Sequence, residues 1–203
     1  IGDRGNRVAL DALRKATGAG GNATRPRIEH AQVIAAEDLP RFGRENVIAS
    51  VQPTHATSDM GWAEARLGPG RIQGAYAWRS LKNGGARLAG GSDFPVESER
   101  PLYGFYAAIT RKDLSGLPAG GWRPSEKLTR SEALALITSD AAWASFEEDV
   151  RGEIAPGYAA DLSVFRRDPM TAPEPEIPKI PIAMTIVGGR VSFESATGAA
   201  PSK

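Results

Sequence analysis

Apolar and polar positions alternate along the chain with two different rhythms. Residues 7–16 (RVALDALRKA) set Val8, Leu10, Ala12 and Leu13 among charges with helical spacing, and the glycines of residues 17–24 (TGAGGNAT) predict a flexible stop. Residues 27–32 (RIEHAQ) alternate briefly, as a strand does. Residues 35–45 read as a helix weakened by Pro40 and Gly43, and the β-branched residues 47–52 (VIASVQ) read as a buried strand. A further helix is predicted over 71–81, stopped by Asn83-Gly84-Gly85, and a third strand over 87–90. Strands separated by roughly 20–40 residues with helical patterns between them are the signature of βα units and a parallel sheet.

After Pro101 the pattern changes. Two helices are predicted, over 102–111 and 131–146, the second opened by Thr129 with Glu132 at capping-box spacing. From Gly152 short β segments follow at 152–154, 160–165, 182–187 and 190–194, the last two joined by Gly188-Gly189 as a tight hairpin. Between them, 168–181 carries five prolines and predicts a rigid, extended connection. Three regions result: 1–150, 151–196 and a frayed tail over 197–203.

Composition narrows the chemistry. The 203 residues, 41% hydrophobic and 24% charged, suffice for a sizeable core. Lys and Arg number 25 against 24 Asp and Glu, a net charge of +1 that gives no electrostatic drive toward nucleic acid. No apolar run approaches the roughly 20 residues of a membrane span, so neither partner is expected. Cysteine is absent, which excludes disulfides, thiolate metal sites and a cysteine nucleophile.

His30 and His55 are the chain's two histidines. In parallel βα architectures functional side chains gather at the carboxyl ends of strands. His30 ends the first predicted strand, His55 follows the second and Asp93 follows the third. Imidazole and carboxylate are ligands that suit a divalent metal such as zinc, whereas His30 taken alone is equally well read as a hydrogen-bonded core histidine. Other chemistries are poorly served. No lysine stands at a strand end, Gly90-Gly91-Ser92-Asp93-Phe94 lacks the last glycine of a nucleophile elbow, and the glycines of 17–24 follow no strand.

Five segments, IGDRGN (1–6), RIEHAQ (27–32), SVQPTHATSD (50–59), AYAWRSLKNGGARLAGGSDFPVE (75–97) and GEIAPGYAADLSVFRRDP (152–169), resemble the amidohydrolase superfamily in its own order, in particular its N-substituted formamide deformylase-like members. The resemblance implies an α/β fold: the carboxyl-terminal part of a TIM-like (β/α)8 barrel, strands six to eight, with the corresponding part of a small β-sandwich. It implies that His30 is a metal ligand and that Asp93 contacts both metal and hydrolytic water. It also implies that another metal-binding histidine precedes Ile1, with more ligands further upstream, so the chain is expected to be part of a longer one.

The activity implied is metal-dependent hydrolysis of C–N bonds in amides, formamides or cyclic amides, with one or two divalent ions, zinc foremost. Asp93 serves as general base and then acid, and His55 contacts the substrate carbonyl. The alternative is a non-catalytic remnant lacking the upstream ligands. Asp59 is expected to orient His55 or cap a helix, and Trp62, Tyr76 and Trp78 to pack. Asp3 and Arg4 are expected to support the upstream histidine, Asp161 to cap a turn, and Arg71 and Arg111 to do no more than pack or face solvent. The partner expected is a small-molecule substrate; a homo-oligomer and the cellular location stay open.

Overall fold

The computed structural model describes residues 1–18 and 24–195. The centre of the glycine-rich loop and the predicted tail over 197–203 lie outside the described residues. The chain forms α1 (Asp3–Thr17), β1 (Arg27–Glu29), α2 (Leu39–Arg44), β2 (Ile48–Val51), α3 (Pro53–Arg71), α4 (Trp78–Asn83) and β3 (Leu88–Gly90). It continues with α5 (Pro101–Thr110), α6 (Arg130–Ile137), α7 (Ser139–Ala144), β4 (Leu162–Phe165), β5 (Ile182–Val187) and β6 (Arg190–Glu194). This is an α/β fold with two three-stranded sheets, β1-β2-β3 parallel and β4-β5-β6 antiparallel.

Register in the parallel sheet pairs Glu29 with Ser50 and Val51 with Gly90, so the three carboxyl ends lie level. Successive strand side chains point to opposite faces. Ala49, Val51 and Leu88 therefore join the main core with Phe42, Leu81, Phe105 and Leu136, while Ile48 and Ala89 turn the other way onto Ala144 and Trp143. At the amino ends of the strands, the Trp143 ring lies 4.2 Å from the Arg25 guanidinium and 3.9 Å from that of Arg87. Arg25 also pairs with Glu148 through both nitrogens of its fork and donates to the Trp143 carbonyl. One indole thus links the segments that lead into the two outer strands.

Several sequence expectations are corrected. The strand over 27–32 stops at Glu29, because His30 and Ala31 take positive φ values of 69° and 41°. The helix over 35–45 starts only at Leu39, with Pro40 in its first turn, where a missing N–H costs nothing. No single helix spans 71–81. Ile72–Gly74 is a 3₁₀ turn, and 75–77 are drawn off by the segment after β1 through Tyr76 N–H to Gln32 O (2.7 Å) and Ile34 N–H to Gly74 O (3.0 Å). A Cβ at Gly74 would lie 1.7 Å from the Ile34 oxygen, so only glycine admits this approach.

Helix α3 has no counterpart among the predicted elements. Its buried residues, Pro53, Thr54, Ala56 and Ala63, are small, so they leave no apolar stripe, and it kinks at Gly68 ahead of Pro69. The helix over 131–146 is two helices broken at Thr138 (φ −129°, ψ −97°), whose hydroxyl bonds back to the Leu134 carbonyl at 2.7 Å. The capping box of Thr129 and Glu132 forms as the spacing predicts. Residues 152–154 form no strand, and the proline-rich connection contains a 3₁₀ helix (Glu174–Lys179) seated by the buried Ala172 and Ile177. The 182–187 and 190–194 hairpin is present, and Asp161 accepts from the Gly188 N–H in its turn at 2.8 Å.

Arg111 is wholly buried, with its guanidinium 4.2 Å from the Trp78 ring and 5.3 Å from that of Trp122, and it donates to the Trp122 and Tyr76 carbonyls at 3.0 Å. It is an internal strut between the chain after α5 and the loop before α4, not a surface group. No helix among the described residues is long and apolar enough to cross a membrane.

Candidate functional site

His30, His55 and Asp93 converge at the carboxyl end of the parallel sheet. Each offers a ligand atom within 4.8 Å of the other two, and among the described residues they form the one group of three such donors. His30 comes directly after β1 at the centre of a tight turn, in which the Ala31 N–H reaches back to the Glu29 carbonyl at 2.9 Å. A non-glycine residue at φ 69° is strained. Asp93, in the turn after β3, also sits at positive φ (57°). Strain of this kind persists where the surrounding structure holds it, and it concentrates at functional sites.

His55 stands in the first turn of α3, which places its ring beside that of His30 at a centroid distance of 5.8 Å and an interplanar angle of 22°. Its Nε2 is buried with no hydrogen-bond partner and lies 3.9 Å from Asp93 Oδ2. A buried imidazole nitrogen without a partner costs free energy unless some ligand supplies what the protein does not. His30 Nδ1 lies 3.0 Å from Gln52 Oε1, an amide oxygen that can only accept. Two imidazoles and one carboxylate so disposed fit a divalent metal, and this donor chemistry suits zinc.

The sequence gathers His30, His55 and Asp93 at the strand ends, with metal-ligand roles for His30 and Asp93 and a substrate contact for His55; the structure places the ligand atoms of all three within 4.8 Å of one another. Asp59 makes no hydrogen bond to His55 among the described residues. It accepts from Tyr76 Oη and from Gln32 Nε2 (3.1 Å), tying α3 to the chain before α4. Burial and the Asp59 carboxylate push the Tyr76 hydroxyl well above its ordinary pKa, so it stays a protonated donor. Asp3 pairs with Arg71 at 2.7 Å, and that guanidinium holds its carboxyl below the usual range. Tyr76 and Trp78 are packed as expected, whereas Trp62 is 49% exposed. A hollow of about 300 Å³ between α3 and α5 is lined by Thr54, Tyr103 and Lys112 but by none of the three donors.

Gln52 is the contributor that sequence reasoning missed. Its place at the carboxyl end of the second predicted strand, on the same side of the sheet as His30, is the signal that could have found it.

The fold is that of an α/β protein whose strand ends carry a group of donors able to hold a metal ion. Comparison with known proteins then gives the family: the profile of the amidohydrolase family matches residues 1–193, and the chain belongs to that family. It is 34% identical over 194 residues to the putative amidohydrolase YtcJ of Bacillus subtilis, covering 96% of this chain and 36% of that protein. The N-substituted formamide deformylase of Arthrobacter pascens is 27% identical, over 92% of this chain and 34% of its own length. Among solved structures, an uncharacterized metal-dependent hydrolase from Pyrococcus horikoshii aligns with a TM-score of 0.72 and 29% identity, over 86% of this chain and 34% of that one. The chain thus spans about a third of the length of these relatives.

Proposed function

We propose that this chain is part of a metal-dependent hydrolase of carbon–nitrogen bonds acting on small amides, formamides or cyclic amides. The observation that carries the reading is the convergence of His30, His55 and Asp93, with a buried, unpartnered Nε2 on His55. The formamide deformylase among the relatives supports the bond type, and the metal-dependent hydrolase supports the cofactor. In this reading the parallel sheet supplies strands six to eight of a (β/α)8 barrel, and β4-β5-β6 supplies part of a β-sandwich.

His30 and Asp93 would hold the ion, which when bound supplies Lewis-acid polarisation of the carbonyl and a lowered pKa for water. Asp93 accepts the proton of the attacking water and returns it to the departing nitrogen, which leaves poorly unless protonated. Its 42% exposed side chain can reach both partners. His55 Nε2 faces the same space and meets the substrate oxygen, steadying the charge that develops there. The mutual distances also favour a second role, in which His55 completes a three-donor set.

Metal content and turnover on a panel of N-formyl amines and cyclic amides test this in the full-length protein. His55→Ala is expected to keep the metal and lower kcat/KM; loss of metal instead assigns His55 as a ligand. Asp93→Asn is expected to lower turnover by at least about 100-fold, the scale of general acid–base catalysis. Activity within tenfold of wild type refutes its role.

A further inference from the structure

Gln52 touches both histidines. Its side-chain oxygen, an obligate acceptor, lies 3.0 Å from His30 Nδ1, and its main-chain carbonyl accepts from the His55 N–H at 3.1 Å. Gln52 is only 8% exposed and directly follows β2, whose parallel pairing with β1 through Glu29 and Ser50 brings it to the same end of the sheet as His30. A buried amide at a strand end has little rotamer freedom, so the acceptor it presents is fixed in space. The His30 ring it touches lies nearly parallel to that of His55, 5.8 Å away.

We propose that Gln52 is a positioning residue that holds His30 in its Nδ1-protonated tautomer and leaves Nε2 as the lone pair offered to the ion. The inference rests on the reading of His30 as a ligand and goes beyond it. A ring nitrogen bonded to an acceptor carries the proton, which settles which nitrogen is free to ligate and also orients the ring. A neutral amide does this without adding charge, so Asp93 remains the one anionic donor of the three. The strained turn at His30 aims the backbone and Gln52 aims the ring. Partners of this kind typically change metal affinity by about 10–100-fold when removed.

The test uses the full-length protein and two variants, Gln52→Leu and Gln52→Glu. In metal-free protein, at a pH well above the ordinary imidazole value of about 6.5, the ¹⁵N shifts of His30, assigned against His30→Ala, are expected to report Nδ1–H in wild type and in Gln52→Glu. A mixture of tautomers is expected in Gln52→Leu. Zinc affinity, measured by competition with a chelating dye, is expected to fall about 10–100-fold in Gln52→Leu and to be restored in Gln52→Glu, an outcome that a purely structural role would not produce. His30 found as Nε2–H in wild type, or Gln52→Leu binding zinc within twofold of wild type, overturns the proposal. A His30 signal that zinc leaves unmoved in wild type overturns the ligand reading instead, while the tautomer alone still decides what Gln52 does to the ring.

Discussion

Adding one methyl group at Gly90 tests how tightly the last parallel strand is held against α6. A Cβ built there would stand 2.6 Å from Leu136 Cγ and 2.9 Å from its Cδ2, well inside contact distance. Leu136 is 1% exposed and packed in the main core, so it has nowhere to retreat. Gly90→Ala should cost about 1–3 kcal/mol by overpacking. Leu136→Ala should cost about 2–5 kcal/mol from lost burial and the cavity left behind. Together they should cost less than their sum by at least about 1 kcal/mol, because the new methyl enters the space the leucine vacates. Full recovery is not expected, since the Leu136 carbonyl oxygen remains 3.3 Å from that methyl. Urea unfolding of the four proteins, followed by tryptophan fluorescence, measures the cycle. Asp93 follows Gly90 by three residues, so zinc affinity should fall in Gly90→Ala and recover in the double variant. Additivity within about 0.5 kcal/mol would show that strand and helix do not press on each other, and would refute the reasoning.

Other expectations follow from single contacts. His30→Gly and His30→Ala both delete the imidazole, but only glycine relieves the φ of 69°, so the glycine variant should be more stable by about 1 kcal/mol in metal-free unfolding; equal stability would remove the strain argument. The Glu132 carboxyl, held by Arg79 and the Thr129 cap, has its pKa lowered from 4.5 to about 2. The stability it contributes is complete above about pH 4.5 and is lost as pH falls through about 2, a change of about 1–2 kcal/mol once its partial exposure is discounted. Glu132→Gln should flatten the acid limb of the stability profile by that amount. Replacing Tyr76 by Phe removes the hydroxyl that donates to Asp59 and should cost about 1–3 kcal/mol, a charge-assisted bond, with zinc affinity unchanged because Asp59 hydrogen-bonds Gln32 and Tyr76 rather than either histidine; lost zinc binding would connect this network to the site.

How much of this was legible depended on how loudly each residue speaks in one dimension. The β-branched run of β2 and the Gly-Gly hairpin announce themselves through local preference, and Thr129 with Glu132 does so through spacing. The two histidines and Asp93 could be gathered because parallel strands put their carboxyl ends on one side. Helix α3 escaped because its packed face is built from alanine, threonine and proline, which carry no hydrophobic period. Arg111 escaped because a buried cation is recognised by its aromatic walls, and Trp78 and Trp122 lie 33 residues before it and 11 residues after it in sequence. Gln52 and the true partner of Asp59 were hidden for a similar reason. Hydrogen bonds between elements are settled by register, which the pattern of apolar residues does not report.

The Trp143 contacts act as the rivet of a fan. Arg25 enters β1 and Arg87 enters β3, and both rest on the same indole, so the angle at which the blades spread is set at the end farthest from His30 and Asp93. Five residue steps lead from Arg25 to His30, about 17 Å at strand rise. At that radius a splay of only about 3–4° carries His30 about 1 Å off its mark, a displacement that can cost on the order of 100-fold in rate. A change at the pivot is therefore magnified before it reaches the donors.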